Sequence, residues 1–70
     1  MSVIFIKKNG RKRYFKGYSS KTGKPEFSTS KAMALKRPDG YYVISELEQL
    51  RFYFREEIPE LEDAEIDDTP

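Results

Sequence analysis

The sequence predicts an α+β fold: a small antiparallel sheet of three to five strands that begins with an N-terminal hairpin, one C-terminal helix packed on one face, and a mobile acidic tail. Three observations lead there. Asn9-Gly10 sits between two runs rich in β-branched and aromatic residues. Ser45-Glu46-Leu47-Glu48 opens a stretch with apolar residues at helical spacing. From Pro59 onward the chain turns acidic and carries only two large apolar residues, Leu61 and Ile66, too few to offset the ordering entropy of the segment.

Asn-Gly tolerates positive φ at both central positions of a type I′ turn, the two-residue turn whose twist suits a hairpin. Counting outward from it pairs Lys8 with Arg11, Lys7 with Lys12, Ile6 with Arg13, Phe5 with Tyr14, Ile4 with Phe15 and Val3 with Lys16. Directly opposed residues share a face. Ile4, Ile6, Arg13 and Phe15 therefore form one face, the more aliphatic, which is expected to meet the core. Val3, Phe5, Tyr14 and Tyr18 form the other, interleaved with Lys7, Lys12 and Lys16. At the tip two like-charged pairs face each other, each costing roughly a few tenths of a kcal/mol.

Ser19 to Pro25 reads as a loop, and Glu26-Phe27-Ser28-Thr29 alternates as a third strand. Ser30 to Arg37 is compatible with one or two helical turns capped by Ser30 or with a strand. The turn chemistry of Pro38-Asp39-Gly40 favours strand or irregular structure there, and Tyr41-Tyr42-Val43-Ile44 reads as a further strand. Ser45 then caps a helix that runs to about Glu57 or Ile58, where Pro59 stops it; Glu48 completes a capping box. Leu47, Leu50, Phe54 and Ile58 fall in one arc with Tyr53 on its flank, and Phe52 points away from it. Residues 1–58 form a single domain in this reading, and 59–70 are the tail.

Seventy residues bury only about 60% of their unfolded surface, so the core is small. Cysteine and histidine are both absent. No disulfide or thiolate site can brace the fold, and no histidine is present to activate a serine. The carboxylates lack the spacing and central glycine of a calcium loop. No phosphate-binding glycine loop occurs, since Gly23-Lys24 is followed by Pro25. The chain is therefore expected to be a non-enzyme without cofactor or metal. With neither a membrane span nor a secretory leader in the sequence, a cytoplasmic location is expected.

The net charge of +1 conceals a division. Residues 1–37 hold eleven Lys/Arg against one acid, Glu26, while residues 38–70 hold two Arg against eleven acids. Such asymmetry points to a nucleic-acid-facing part joined to an acidic part, unless the halves neutralise each other on folding.

Two binding functions fit this pattern. In the first, Lys7, Lys8, Arg11, Lys12, Arg13 and Lys16 neutralise the phosphates of DNA or RNA while Tyr14 and Tyr18 stack on bases or pack on sugars. The layout of a twisted sheet with one helix resembles arm-type DNA-binding domains at the start of some tyrosine recombinases, and small archaeal chromatin proteins; no motif assigns the chain to either. In the second, the chain is a regulator or inhibitor of the kind phages and mobile elements encode. It would bind a host protein through its aromatic surface, with Phe52 as the contact candidate, or through the acidic tail.

Overall fold

Asn9 and Gly10 both adopt positive φ, 55° and 77°, as the type I′ turn requires. The register that follows is the expected one: Phe5 opposes Tyr14, Ile6 opposes Arg13, Lys7 opposes Lys12 and Lys8 opposes Arg11. In the computed structural model, which describes residues 1–68, these strands are β1 (Ser2–Lys8) and β2 (Arg11–Tyr18). They are followed by β3 (Pro25–Ser28), a 3-10 turn (Lys31–Met33), α1 (Tyr41–Phe54), a second 3-10 turn (Pro59–Asp63) and β4 (Glu65–Asp68). All four strands form one antiparallel sheet in the order β3-β2-β1-β4.

The aliphatic face meets the helix. Ile4, Ile6 and Phe15 are buried with Val43, Leu47 and Leu50 of α1, and Phe27, Phe54, Ile58 and Ile66 pack at the edges of that cluster. The other face is partly closed as well. Val3 and Phe5 are buried, Phe5 beneath the Lys12 ammonium at 4.6 Å and beside the Tyr14 ring. Lys31 reaches Asp67, the residue opposite Val3, so the first 3-10 turn lies over that end of the face.

Residues 30–37 are mostly irregular. After the single 3-10 turn, Leu35 N–H donates to the Phe15 carbonyl, and Arg37 exchanges two backbone hydrogen bonds with Ser2. This segment occupies the opening where β1 and β2 part. Next to that opening β2 carries a β-bulge against β3: Phe15 opposes Phe27 but Gly17 opposes Glu26, so Lys16 is the extra residue of β2. Gly17 sits at φ 120°, a conformation that side-chain-bearing residues seldom adopt.

Three expectations are corrected. First, the helix starts at Tyr41, with Gly40 as N-cap and no side-chain cap, so Ser45 lies in its second turn and the capping box is not used. Tyr41-Tyr42-Val43-Ile44 has strand propensity, but Val43 continues the Leu47–Leu50–Phe54 stripe by one turn, and its burial decides the conformation. Second, the segment read as a tail is part of the fold as far as Asp68. Leu61 and Ala64 are buried in the core, and Ile66 pairs with Ile4. Arg51 holds the segment by donating from Nε to the Leu61 carbonyl at 2.8 Å and from a terminal nitrogen to the Ala64 carbonyl at 3.0 Å. The last two residues of the expected tail, 69 and 70, lie outside the described residues.

Third, the bulge inverts the alternation of β2. Tyr18 joins Phe15 on the helix side, with ring centroids 5.2 Å apart, and its ring also approaches Phe54. The expectation that Tyr18 shares a face with Tyr14 fails for this reason. No helix among the described residues is long and apolar enough to cross a membrane.

Candidate nucleic-acid interface

The hairpin carries its cations on both sides of a two-stranded ribbon. Lys7, Lys12 and Tyr14 share the face away from α1, and Lys8, Arg11 and Arg13 share the face toward it. Lys16 stands exposed at the bulge. Lys8, Arg11 and Lys12 are exposed and surround the turn. Arg13 is half-buried, and its Nε is enclosed without a hydrogen-bond partner. Six of the eight residues expected at the interface, Lys7 to Tyr14, thus gather at the ribbon end. Lys16 lies further along β2, and Tyr18 belongs to the other side of the sheet.

The folded chain decides how far the two charged halves neutralise each other. Lys24 pairs with Glu57, Lys31 with Asp67 and Arg37 with Glu46, at 3.3, 2.9 and 3.1 Å. Lys7 stands 4.0 Å from Glu65, brought beside it by the pairing of β4 with β1. Among the described residues no carboxylate lies within ion-pair distance of Lys8, Arg11, Lys12, Arg13 or Lys16. Neutralisation therefore stops short of the ribbon end. Glu65 and Asp67 share the Val3–Phe5 face, so the outer face is basic toward β2 and acidic along β4.

The aromatic component is smaller than the sequence suggests. Tyr14 is half-buried against Phe5, its ring centroid 5.9 Å away. Tyr18 meets Phe15 instead, and its phenol pKa is raised, first by burial and then by the Glu46 carboxylate, with Arg37 opposing.

Two features escaped the sequence reading. One is the group around Ser2, whose buried hydroxyl lies between the carboxylates of Asp39 and Asp68 and can donate to only one at a time. That hydrogen bond, more than the nearby chain amino group, holds the Asp39 carboxyl below its ordinary pKa. Nothing local in Met-Ser-Val signals it, because its partners lie far along the chain, at Asp39 and Asp68. The other is the outer side of α1, where Tyr41, Tyr42 and Tyr53 are exposed together with Phe52. Phe52 alone of these could be recognised from helical phase, since the first turn of α1 reads as strand.

No protein-family model matches the chain, and no curated protein or solved structure matches it.

Proposed function

We propose that this chain is a small non-enzymatic module that binds nucleic acid along its backbone through the basic end of the β1–β2 ribbon. The observation that carries this reading is the set of five cations, Lys8, Arg11, Lys12, Arg13 and Lys16, left without a carboxylate while much of the remaining basic half is paired. Opposed like charges raise the free energy of the isolated ribbon, and a polyanion between or beside them removes that cost. Phosphate contacts supply affinity without reading sequence. Only half-buried Tyr14 stands beside the cations as a stacking surface, so binding is expected to depend weakly on base identity.

Fluorescence anisotropy with random-sequence single-stranded and duplex DNA and RNA, over roughly 0.05–0.3 M salt, tests the proposal. The intact chain is expected to bind with an affinity that falls steeply with salt. Lys8→Gln with Arg11→Gln should reduce the slope of log K against log salt by about 0.9 for each duplex phosphate that is no longer neutralised. Both side chains are exposed, so folding should be unchanged or slightly improved. Absence of saturable binding at the lowest salt would refute the proposal.

A further inference from the structure

The outer side of α1 joins aromatic rings to carboxylates, and the charge left unpaired on it is negative. Tyr41, Tyr42, Phe52 and Tyr53 are 78, 65, 75 and 70% exposed, far more apolar surface than a 14-residue helix needs to leave in water. The rings form two edge-on couples, Tyr41 with Tyr42 at 6.0 Å and Phe52 with Tyr53 at 4.9 Å. Each couple restrains its own members and lowers the entropic cost of an incoming contact. At about 100° per residue, Glu48 and Gln49 lie on the same half of the helix, away from Val43, Leu47 and Leu50. Arg51 of α1 is committed to the carbonyls of the second 3-10 turn, Arg55 at the helix C-cap beside Phe52 and Tyr53 pairs with Glu62 at 3.5 Å, and Arg37 pairs with Glu46. Glu48, and Glu56 just beyond the helix, make no ion pair among the described residues.

From this we infer that the outer face of α1 is a docking surface for a basic polypeptide segment, rich in Arg or Lys, presented by a partner protein. Charge complementarity selects that occupant. A polyanion or an anionic membrane would meet uncompensated carboxylates. A second copy docked through the same face would add a second set of unpaired carboxylates, Glu48 and Glu56, to a surface whose arginines are already engaged. Guanidinium groups satisfy both components of the surface, since they stack on tyrosine faces and pair with carboxylates. A groove of about 440 Å³ between Arg37–Pro38 and the first turns of α1, lined by Tyr41, Tyr42, Gln49 and by Glu46, whose carboxylate Arg37 already holds, gives the apolar stem of one such side chain a place to lie against the rings. This surface is separate from the basic ribbon and does not depend on the nucleic-acid reading.

The experiment is a titration of the full, isotope-labelled chain with a short oligoarginine peptide, followed by backbone amide shifts, with oligoglutamate as the control and sedimentation run in parallel. The expected result is peptide-induced shifts concentrated between residues 41 and 56, no response to oligoglutamate, and about a tenfold weaker affinity in Tyr42→Ala with Phe52→Ala. Glu60→Gln with Asp63→Asn, which removes charge from the second 3-10 turn and leaves the rings and the Arg55–Glu62 pair in place, should leave affinity within about twofold. Shifts centred on residues 60–68, or equal weakening in the two double variants, would mean that the peptide acts as a diffuse counterion, and would overturn the inference. Concentration-dependent association of the chain alone, with shifts at both the ribbon end and α1, would assign the surface to a second copy instead.

Discussion

Leu61→Ala puts the fold of the acidic segment to its most direct test. Leu61 is fully buried in the core cluster formed by β1, β2 and α1. Truncation to alanine removes buried methyl and methylene groups worth about 0.8 kcal/mol each, and the residual cavity adds to that loss. The expected cost is therefore about 2–5 kcal/mol. A chain of this size has only roughly 4–10 kcal/mol of stability to lose. Urea unfolding followed by far-ultraviolet circular dichroism gives the global value. Hydrogen exchange gives the local one, and protection should fall first between residues 59 and 68, because Ala64 and Ile66 pack in the same cluster that Leu61 anchors. Phe52→Ala, on an exposed side chain, should cost under about 1 kcal/mol in the same assay. If Leu61→Ala shifted the urea midpoint no more than Phe52→Ala, with an unchanged slope, residues 59–68 would not belong to the core and the reasoning would fail.

Arg51→Met keeps the apolar stem and removes the guanidinium, leaving the Leu61 and Ala64 carbonyls without its hydrogen bonds. The expected loss is roughly 1–3 kcal/mol, with faster amide exchange in residues 59–66 as the specific readout. Gly17→Ala introduces a Cβ with nothing within 4 Å, so its cost should be backbone strain alone, roughly 1–3 kcal/mol by urea unfolding; no loss would show that φ of 120° is not required there. Ser2→Ala should raise the Asp39 carboxyl pKa toward its ordinary 3.8 in a side-chain carboxyl titration by NMR. Because the folded pKa of Asp39 is depressed, its stabilisation is present above the unfolded value and lost as pH falls through the folded one. The variant should therefore lose less stability between neutral and acid pH than the parent chain, and an unchanged Asp39 titration would remove Ser2 as the cause.

The hairpin and its register were legible because Asn-Gly, alternation and opposed pairing are local signals that agree with one another. The helix core was legible for the same reason from Leu47 onward. Its first turn was not, because Tyr-Tyr-Val-Ile prefers a strand by local propensity and only burial of Val43 beside Leu47 overrides that preference. Ser45 offered a capping box that the fold does not use, the cap having moved to Gly40. The acidic segment misled composition arguments in a different way. Its few apolar residues, Leu61, Ala64 and Ile66, are spaced so that all of them reach the core, and Arg51 supplies hydrogen bonds that no reading of residues 59–68 alone could reveal. Tyr18 was lost from the candidate site through one extra residue in β2, because a period of two carries no memory of a bulge.

The charge division of the sequence acquires its meaning only in space. Lys7, Lys24, Lys31 and Arg37 of the basic half meet Glu65, Glu57, Asp67 and Glu46 of the acidic half. Most of these side chains are largely exposed, and such pairs contribute about 0–1 kcal/mol each, so neutralisation is not what holds the fold together. Its consequence is the field that remains. Pairing β4 with β1 takes carboxylates to one border of the outer face and leaves the ribbon end positive, while the helix side is left with Glu48 and Glu56 among exposed rings. The molecule measures 24 Å even along its shortest axis, several times the Debye length of about 8 Å at physiological salt. Charges at opposite limits of the molecule are therefore largely screened from each other. Under the two proposals, the linear charge split becomes two separate surfaces, the ribbon end for an anionic ligand and the outer side of α1 for a basic one. The expected outcome is that Lys8→Gln with Arg11→Gln weakens only the first and Tyr42→Ala with Phe52→Ala only the second, checked by measuring both affinities in both double variants.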